Sequence, residues 1–323
     1  MVKGVVIVGL GNIGLKYDLH LDQGKHVYSH ARAFSQHKDF NLLAAVDDNL
    51  SRRDIFTHVY KSPAYSDLSE ALKRHKPDVV VIATTTQTHA EILFNILEEV
   101  NPMVILCEKP LSYDLSEAQE MVEMCERKKV SLYVNFMRRS DTGVVKIKNL
   151  IDSKTFEVGI KGVTWYSKGF IHNGSHFFNL LEYWLGPMKG FNLLSIDRIL
   201  DDDCELDVEV EFENGKIIFL AAWEESFSHY SIELLLPSGR IRYDDRGATI
   251  QVQNVISDPI FKGYRILNPG SKNIETDMRH SQLNVVKQLA LFVNGKPSHL
   301  CSGKAALTTL ASMLLIIDEI KNG

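Results

Sequence analysis

The chain has 323 residues, 45% of them hydrophobic and 24% charged, with a formal net charge of −5. That length points to two domains, and the mild acidity supplies no basic field for nucleic acid. No run is long and apolar enough to span a bilayer, and four scattered cysteines (Cys107, Cys125, Cys204, Cys301) form no CxxC pair or disulfide framework, as expected of a reduced, cytoplasmic chain.

The opening, "MVKGVVIVGLGNIG", sets a lysine before an apolar stretch. It has no small-residue cleavage site and glycines interrupt it, so it does not read as a signal peptide. A β-branched strand, Val5 to Val8, runs instead into Gly9-Leu10-Gly11-Asn12-Ile13-Gly14, a G-x-G-x-x-G directly after a strand. Gly9 permits the tight turn, Gly11 lets the backbone approach a pyrophosphate, and Gly14 allows close packing. The N-terminus of the following helix is expected to offer free N–H groups to the phosphates. A second buried strand, "NLLAAVDDN", ends in Asp47 and Asp48. An acid there can accept hydrogen bonds from ribose hydroxyls, which favours NAD, while Arg52 and Arg53 leave NADP open. Asp47 lies 33 residues after Gly14, where about 20 is usual. The surplus, "LKYDLHLDQGKHVYS" (residues 15–29), reads either as a surface loop or as a flap over cofactor or substrate.

"DVVVIATTT" and "MVILCEKP" follow, continuous apolar runs typical of parallel strands covered on both faces. Helical patterns, "HAEILFNILEEV" and "DLSEAQEMVEMCERKK", come after them in turn. The alternation predicts a doubly wound α/β sheet, whose ligands bind at the carboxyl ends of the strands. Thr84, Thr85, Thr86, Gln87, Glu108 and Lys109 then share one crevice with the glycine turn. A lysine at a strand's carboxyl end can donate a hydrogen bond or proton to a substrate oxygen; the plainer alternative is a lysine in a surface turn.

From about Phe156 the pattern becomes period two, with Asn214-Gly215 and Pro237-Ser238-Gly239 where hairpin turns belong. The expected architecture is a Rossmann-like parallel domain over residues 1–130 and an α+β domain over 131–323 with an open, mainly antiparallel sheet. Two terminal helical runs, "HSQLNVVKQLALFVNG" and "KAALTTLASMLLIIDEI", are able to pack back on the first domain. The acidic run "DDDCELD" (201–207) reads as a solvated turn before a strand rather than a cation site.

His172 and His176 stand four residues apart in "KGFIHNGSHFFNLLEYWLG". A zinc helix commonly has a Glu between such histidines and needs a third ligand. Here Asn173, Gly174 and Ser175 intervene and no ligand cluster is near, so no metal is expected and acid/base work is the better reading.

Together "VGLGNIG", "AAVDDN", "ATTTQTHAEI", "LCEKPLS", "YVNFMRR" and "HNGSHFFNLLEYWLG" resemble, in order, the GFO/IDH/MocA oxidoreductase family over essentially the whole chain. The resemblance implies an NAD- or NADP-binding Rossmann domain, a second domain whose sheet often makes dimers or tetramers, and hydride transfer to or from sugars, polyols or nucleotide-sugars. It implies that Gly9, Gly11, Asn12 and Ile13 contact the pyrophosphate and Asp47 the ribose, with Thr84, Thr85, Gln87 and His89 lining the dinucleotide. Glu108 and Lys109 match the family's EKP motif, the lysine lying against nicotinamide and substrate, and Arg138 matches an arginine near the entry to the second domain. The family's D-x-G-x-H-x-x-D here reads His172-Asn173-Gly174-Ser175-His176-Phe177-Phe178-Asn179. It keeps the acid/base histidine as His176 but replaces both aspartates. His172 and Asn173 thereby become substrate contacts, and the variant points to a nucleotide-linked or acidic sugar of surface-polysaccharide metabolism. A regulator that binds NAD or sugar without turnover is the alternative.

Overall fold

In a computed structural model, which describes residues 1–153, 159–199 and 203–322, the chain forms two compact units. One joins Met1–Ser140 with Arg279–Leu307; the other joins Asp141–Met278 with the chain from Thr308 onward.

The first unit begins with β1 (Lys3–Val8), α1 (His30–Gln36), β2 (Phe40–Val46), α2 (Leu50–Tyr60), β3 (Ala64–Tyr65), α3 (Leu68–His75) and β4 (Val79–Ile82). It continues through α4 (His89–Glu99), β5 (Val104–Cys107), α5 (Leu115–Lys128) and β6 (Ser131–Val134). These strands lie in the order β6-β5-β4-β1-β2-β3, all parallel. β4 and β5 are wholly buried, which is why they read as unbroken apolar runs. Side chains of Ser29, Asn49, Asp67 and Asp114 accept hydrogen bonds from the first turns of α1, α2, α3 and α5, so each helix starts where a capping residue stands. The chain leaves β1 toward β2 on one side and returns to β4 on the other, which opens a crevice at the carboxyl ends of β1 and β4.

The second unit comprises α6 (Thr142–Asp152), β7 (Ile160–Tyr166), a π-helical turn (Gly169–Gly174), α7 (Ser175–Leu185), β8 (Met188–Ile199), β9 (Cys204–Phe212) and β10 (Gly215–Ala221). Then follow β11 (Ser231–Leu236), β12 (Gly239–Asp244), β13 (Thr249–Ser257), β14 (Arg265–Leu267) and β15 (Lys272–Ile274). The sheet runs β14-β13-β12-β11-β7-β10-β9-β8, with β15 beside β13, and is antiparallel except where β7 meets β10. Both expected hairpins form, closing Phe212 on Gly215 and Leu236 on Gly239. β8 is not evident in the sequence because irregularities at Met188/Gly190, Leu193/Ser195 and Ile196/Arg198 break its alternation. The core packs Val208, Val210, Phe212, Ile217 and Phe219 of the sheet on Phe177, Phe178 and Trp184 of α7. Residues 156–158, where the period-two pattern sets in, and Asp201 and Asp202 of the acidic run lie outside the described residues.

Three elements remain: α8 (Ser281–Val293), β16 (Cys301–Ser302) and α9 (Gly303–Asn322). α8 buries Val285, Val286 and Leu289 in the first core, and β16 pairs antiparallel with β6. The unit boundary thus lies at Ser140–Asp141, not at residue 130, because β6 bonds to β5 along its length. Among the described residues no helix is long and apolar enough to cross a membrane.

Candidate active site

Three glycines of the first turn are glycines for different reasons. Gly9 has φ +99°, and a Cβ there would lie 2.6 Å from the Ala83 carbonyl oxygen. A Cβ on Gly14 would lie 2.0 Å from the Gly9 carbonyl oxygen. A Cβ on Gly11 would meet nothing within 4 Å and needs no unusual φ. Among the described residues nothing requires a bare backbone at Gly11, so the open cradle suits a ligand lying against it.

The N-terminus of α1 is not free as the sequence leads one to expect. α1 starts only at His30, and its N–H groups at His30 and Ala31 donate to the carbonyls of Ile13 (2.9 Å) and Gly14 (3.0 Å). A short helical turn follows the glycines instead: Leu15 N donates to Gly11 O (3.0 Å) and Tyr17 N to Asn12 O (2.9 Å). The first N–H groups of such a turn, at Gly11, Asn12 and Ile13, have no partner within it.

Gly9, Gly11, Asn12, Ile13, Asp47, Thr84 and Thr85 line one cleft of about 880 Å³. Asp47 is buried there, accepting from Leu10 N (2.7 Å) and Asn49 N (2.9 Å). A carboxylate has about four acceptor positions, so capacity remains for ribose hydroxyls. Of the two arginines considered for NADP, Arg53 straps the strand end by donating to the carbonyls of Asp47 (2.7 Å) and Asp48 (2.8 Å). Arg52 lines the cleft, 3.5 Å from the Asp47 carboxylate. Lys16 and Tyr17, from the 15–29 segment that the sequence leaves open between a surface loop and a flap, also line it. The rest of the 15–29 segment is stapled down: fully buried Asp18 accepts from Tyr28 N (2.6 Å), Ser29 N (2.8 Å) and Ser29 Oγ (2.6 Å).

Gln87 and His89 do not line this cleft, contrary to expectation. Gln87 is exposed on the turn before α4. His89 is wholly buried, its Nδ1 facing the carbonyls of Pro110 (3.1 Å) and Leu111 (3.3 Å) and its Nε2 that of Thr84 (3.3 Å). Burial holds its pKa below the ordinary imidazole value. It braces the turn after β5 against the turn after β4.

Glu108 likewise serves the protein. Its carboxylate takes hydrogen bonds from His30 Nε2 (2.7 Å) and Asn135 Nδ2 (2.6 Å), and Asn135 also donates to Gln282 Oε1 (3.1 Å). Burial pushes its pKa up, but the His30 and Asn135 bonds, with the charges of His30 and Lys109, bring it below the ordinary carboxylate value. Lys109, half-buried, therefore leaves a strand end anchored at the preceding residue. Arg138 is buried in the turn Met137–Ser140 that closes this stretch of the unit.

In the second unit, His172 is exposed on the π-helical turn and His176 is half-buried on the first turn of α7. Asn173 Nδ2 donates to the Tyr230 hydroxyl (3.0 Å), and the Tyr230 ring stacks on Phe177 at 5.5 Å. Asn179 donates to Thr309 Oγ1 (2.9 Å), which in turn bonds Glu182, so this position ties α7 to α9. Among the described residues no group of three or more His, Cys, Asp or Glu is gathered to hold a metal.

Residues 3–136 match the oxidoreductase family with an NAD-binding Rossmann fold, GFO_IDH_MocA. Over this segment, which is under half of its length, the chain is similar to that family, and its first unit has a Rossmann-like fold. It is similar to a myo-inositol 2-dehydrogenase of Thermotoga maritima, 27% identical over 150 residues, 46% of this chain and 40% of that one. An inositol 2-dehydrogenase of Mycolicibacterium smegmatis is 37% identical over 117 residues, 35% of this chain and 33% of the relative. The matches thus span well under two thirds of these relatives. Whole-chain likeness is seen with the WlbA dehydrogenase of Bordetella pertussis, solved with NADH and UDP-GlcNAcA, at TM-score 0.76 and 16% identity over 100% of this chain and 96% of that one. A putative NADPH-dependent oxidoreductase from Desulfitobacterium hafniense gives TM-score 0.80 at 18% identity over 99% and 96%. At such identities the likeness speaks for the fold.

Proposed function

We propose that this protein is an NAD-dependent oxidoreductase that interconverts a hydroxyl and a keto group on a sugar, nucleotide-linked or acidic, in the cytoplasm. The observation that carries the reading is Gly11, bare for no reason found among the described residues, in a cleft that Asp47 also lines. The curated relatives named inositol dehydrogenases and the fold shared with a nucleotide-sugar dehydrogenase support the substrate class.

Amides of Gly11, Asn12 and Ile13 hold the pyrophosphate, and Asp47 accepts from the ribose hydroxyls. Bound NAD supplies the hydride acceptor. His176 takes the proton of the substrate hydroxyl, Lys109 donates a hydrogen bond to that oxygen, and His172, Asn173 and Arg138 contact the sugar. We also assign the exposed face of the second sheet, with Trp165 (38% exposed) and Leu235 (48%), to contact between copies of the chain in a dimer or tetramer.

The test follows absorbance at 340 nm with NAD and a panel of nucleotide-sugars, sugar acids and inositols. Turnover is expected with one class. His176→Ala and Lys109→Ala should each lower kcat by about 10²-fold or more while NADH still binds. Sugar binding without turnover would identify a sensor instead, and unchanged kcat in His176→Ala would remove its acid/base role.

A further inference from the structure

The backbone beneath His172 is held by a residue outside its own segment, and we propose that Asp203 is a positioning residue for His172. The inference rests on the reading that this segment contacts the sugar. Asp203 stands just before β9, inside the acidic run that the sequence reads as a solvated turn. Its Oδ1 accepts from Ile171 N (2.9 Å) and Cys204 N (2.8 Å), and its Oδ2 accepts from His172 N (2.8 Å). One carboxylate thus locks the π-helical turn to the start of β9.

The turn is shaped around that carboxylate. Gly169 has φ +81°, and a Cβ there would lie 2.1 Å from Asp203 Oδ2. Lys168, just before it, is left-handed at φ 66° and pairs with Glu224 at 3.2 Å. Fully buried Glu205, gripped by Arg198 through Nε (2.8 Å) and Nη2 (2.6 Å), takes Gly169 N at 3.4 Å. Between them the two acids accept the N–H groups of Gly169, Ile171 and His172, orphans that a helix start presents. On the other side, Asn173 is fixed through Tyr230. His172 is therefore an exposed side chain on a backbone clamped before and after it, the arrangement by which a contact residue meets its ligand without reordering.

The test compares wild type with Asp203→Ala, Asp203→Asn and Gly169→Ala by hydrogen exchange over residues 169–173. It adds NADH titration and steady-state kinetics on the sugar that the panel identifies. Asp203→Ala and Gly169→Ala should speed exchange at these amides about fivefold to tenfold, as loss of a helix cap does, with Asp203→Asn between them and wild type. Sugar KM should rise about fivefold or more in Asp203→Ala, recover partly in Asp203→Asn, and NADH affinity should stay within about twofold. The inference is overturned by unchanged exchange, by acceleration throughout the second unit, or by local acceleration with KM and kcat both unchanged. If wild type turns over no sugar, the oxidoreductase reading fails. Exchange then decides alone whether Asp203 holds His172.

Discussion

Gly11 and Gly14 look alike in sequence, yet they answer to different demands. Gly14→Ala drives a methyl to 2.0 Å from a backbone oxygen and should lower stability by about 1–3 kcal/mol, read from thermal melts. Gly11→Ala should melt like wild type but bind NADH about tenfold or more weakly in a fluorescence titration; equal affinity would remove the pyrophosphate from this cradle. Glu108 shows a second residue-level effect. Its folded pKa is depressed, so its contribution to stability is present above the ordinary carboxylate range and lost as pH falls through the folded value. In Glu108→Gln the acid-side loss of melting temperature should be smaller than in wild type, measured by calorimetry from neutral pH downward.

At the scale of elements, the 15–29 segment borders the cleft at one end and is fastened at the other. Its first residues extend the glycine turn into the cleft, and its end is pinned by Asp18 to the start of α1. Asp18→Ala leaves the Tyr28 and Ser29 donors without their acceptor and should lower stability by about 2–4 kcal/mol, with faster proteolysis between residues 19 and 26. Unchanged melting and cleavage would mean that the segment is held elsewhere. The turns after β4 and β5 depend on one imidazole in a similar way. Because burial lowers the His89 pKa, the folded state resists its protonation, and stability should fall as pH drops below the ordinary imidazole value. His89→Gln should flatten that part of the pH profile.

Over the whole molecule, neither unit is a continuous piece of chain. The first is completed by residues 279–307, through α8 in its core and Gln282 on Asn135. A fragment of residues 1–140 should therefore fail to melt cooperatively or to bind NADH, whereas the same fragment joined by a short linker to 279–307 should do both; a cooperative, NADH-binding 1–140 would refute this dependence. Much of the architecture is legible in the amino-acid order, because turn chemistry, capping and periodicity act between near neighbours: the glycine turn, the buried parallel strands, both hairpins and the change to period two. β8 escaped because its irregularities erase the alternation, and the boundary moved because pairing with β5, not local pattern, keeps β6 in the first sheet. The site divides along the same line. Gly9, Gly11, Asn12, Ile13, Asp47, Thr84 and Thr85 are named by their place at strand ends, and they do share a cleft. Only the tertiary structure decided that His89 and Glu108 brace turns, that His30 and Asn135 hold Glu108, and that Asp203 reaches His172. The partners of Glu108 and His172 lie 27 to 78 residues away, and which groups meet depends on strand order and register, which no short stretch of sequence contains.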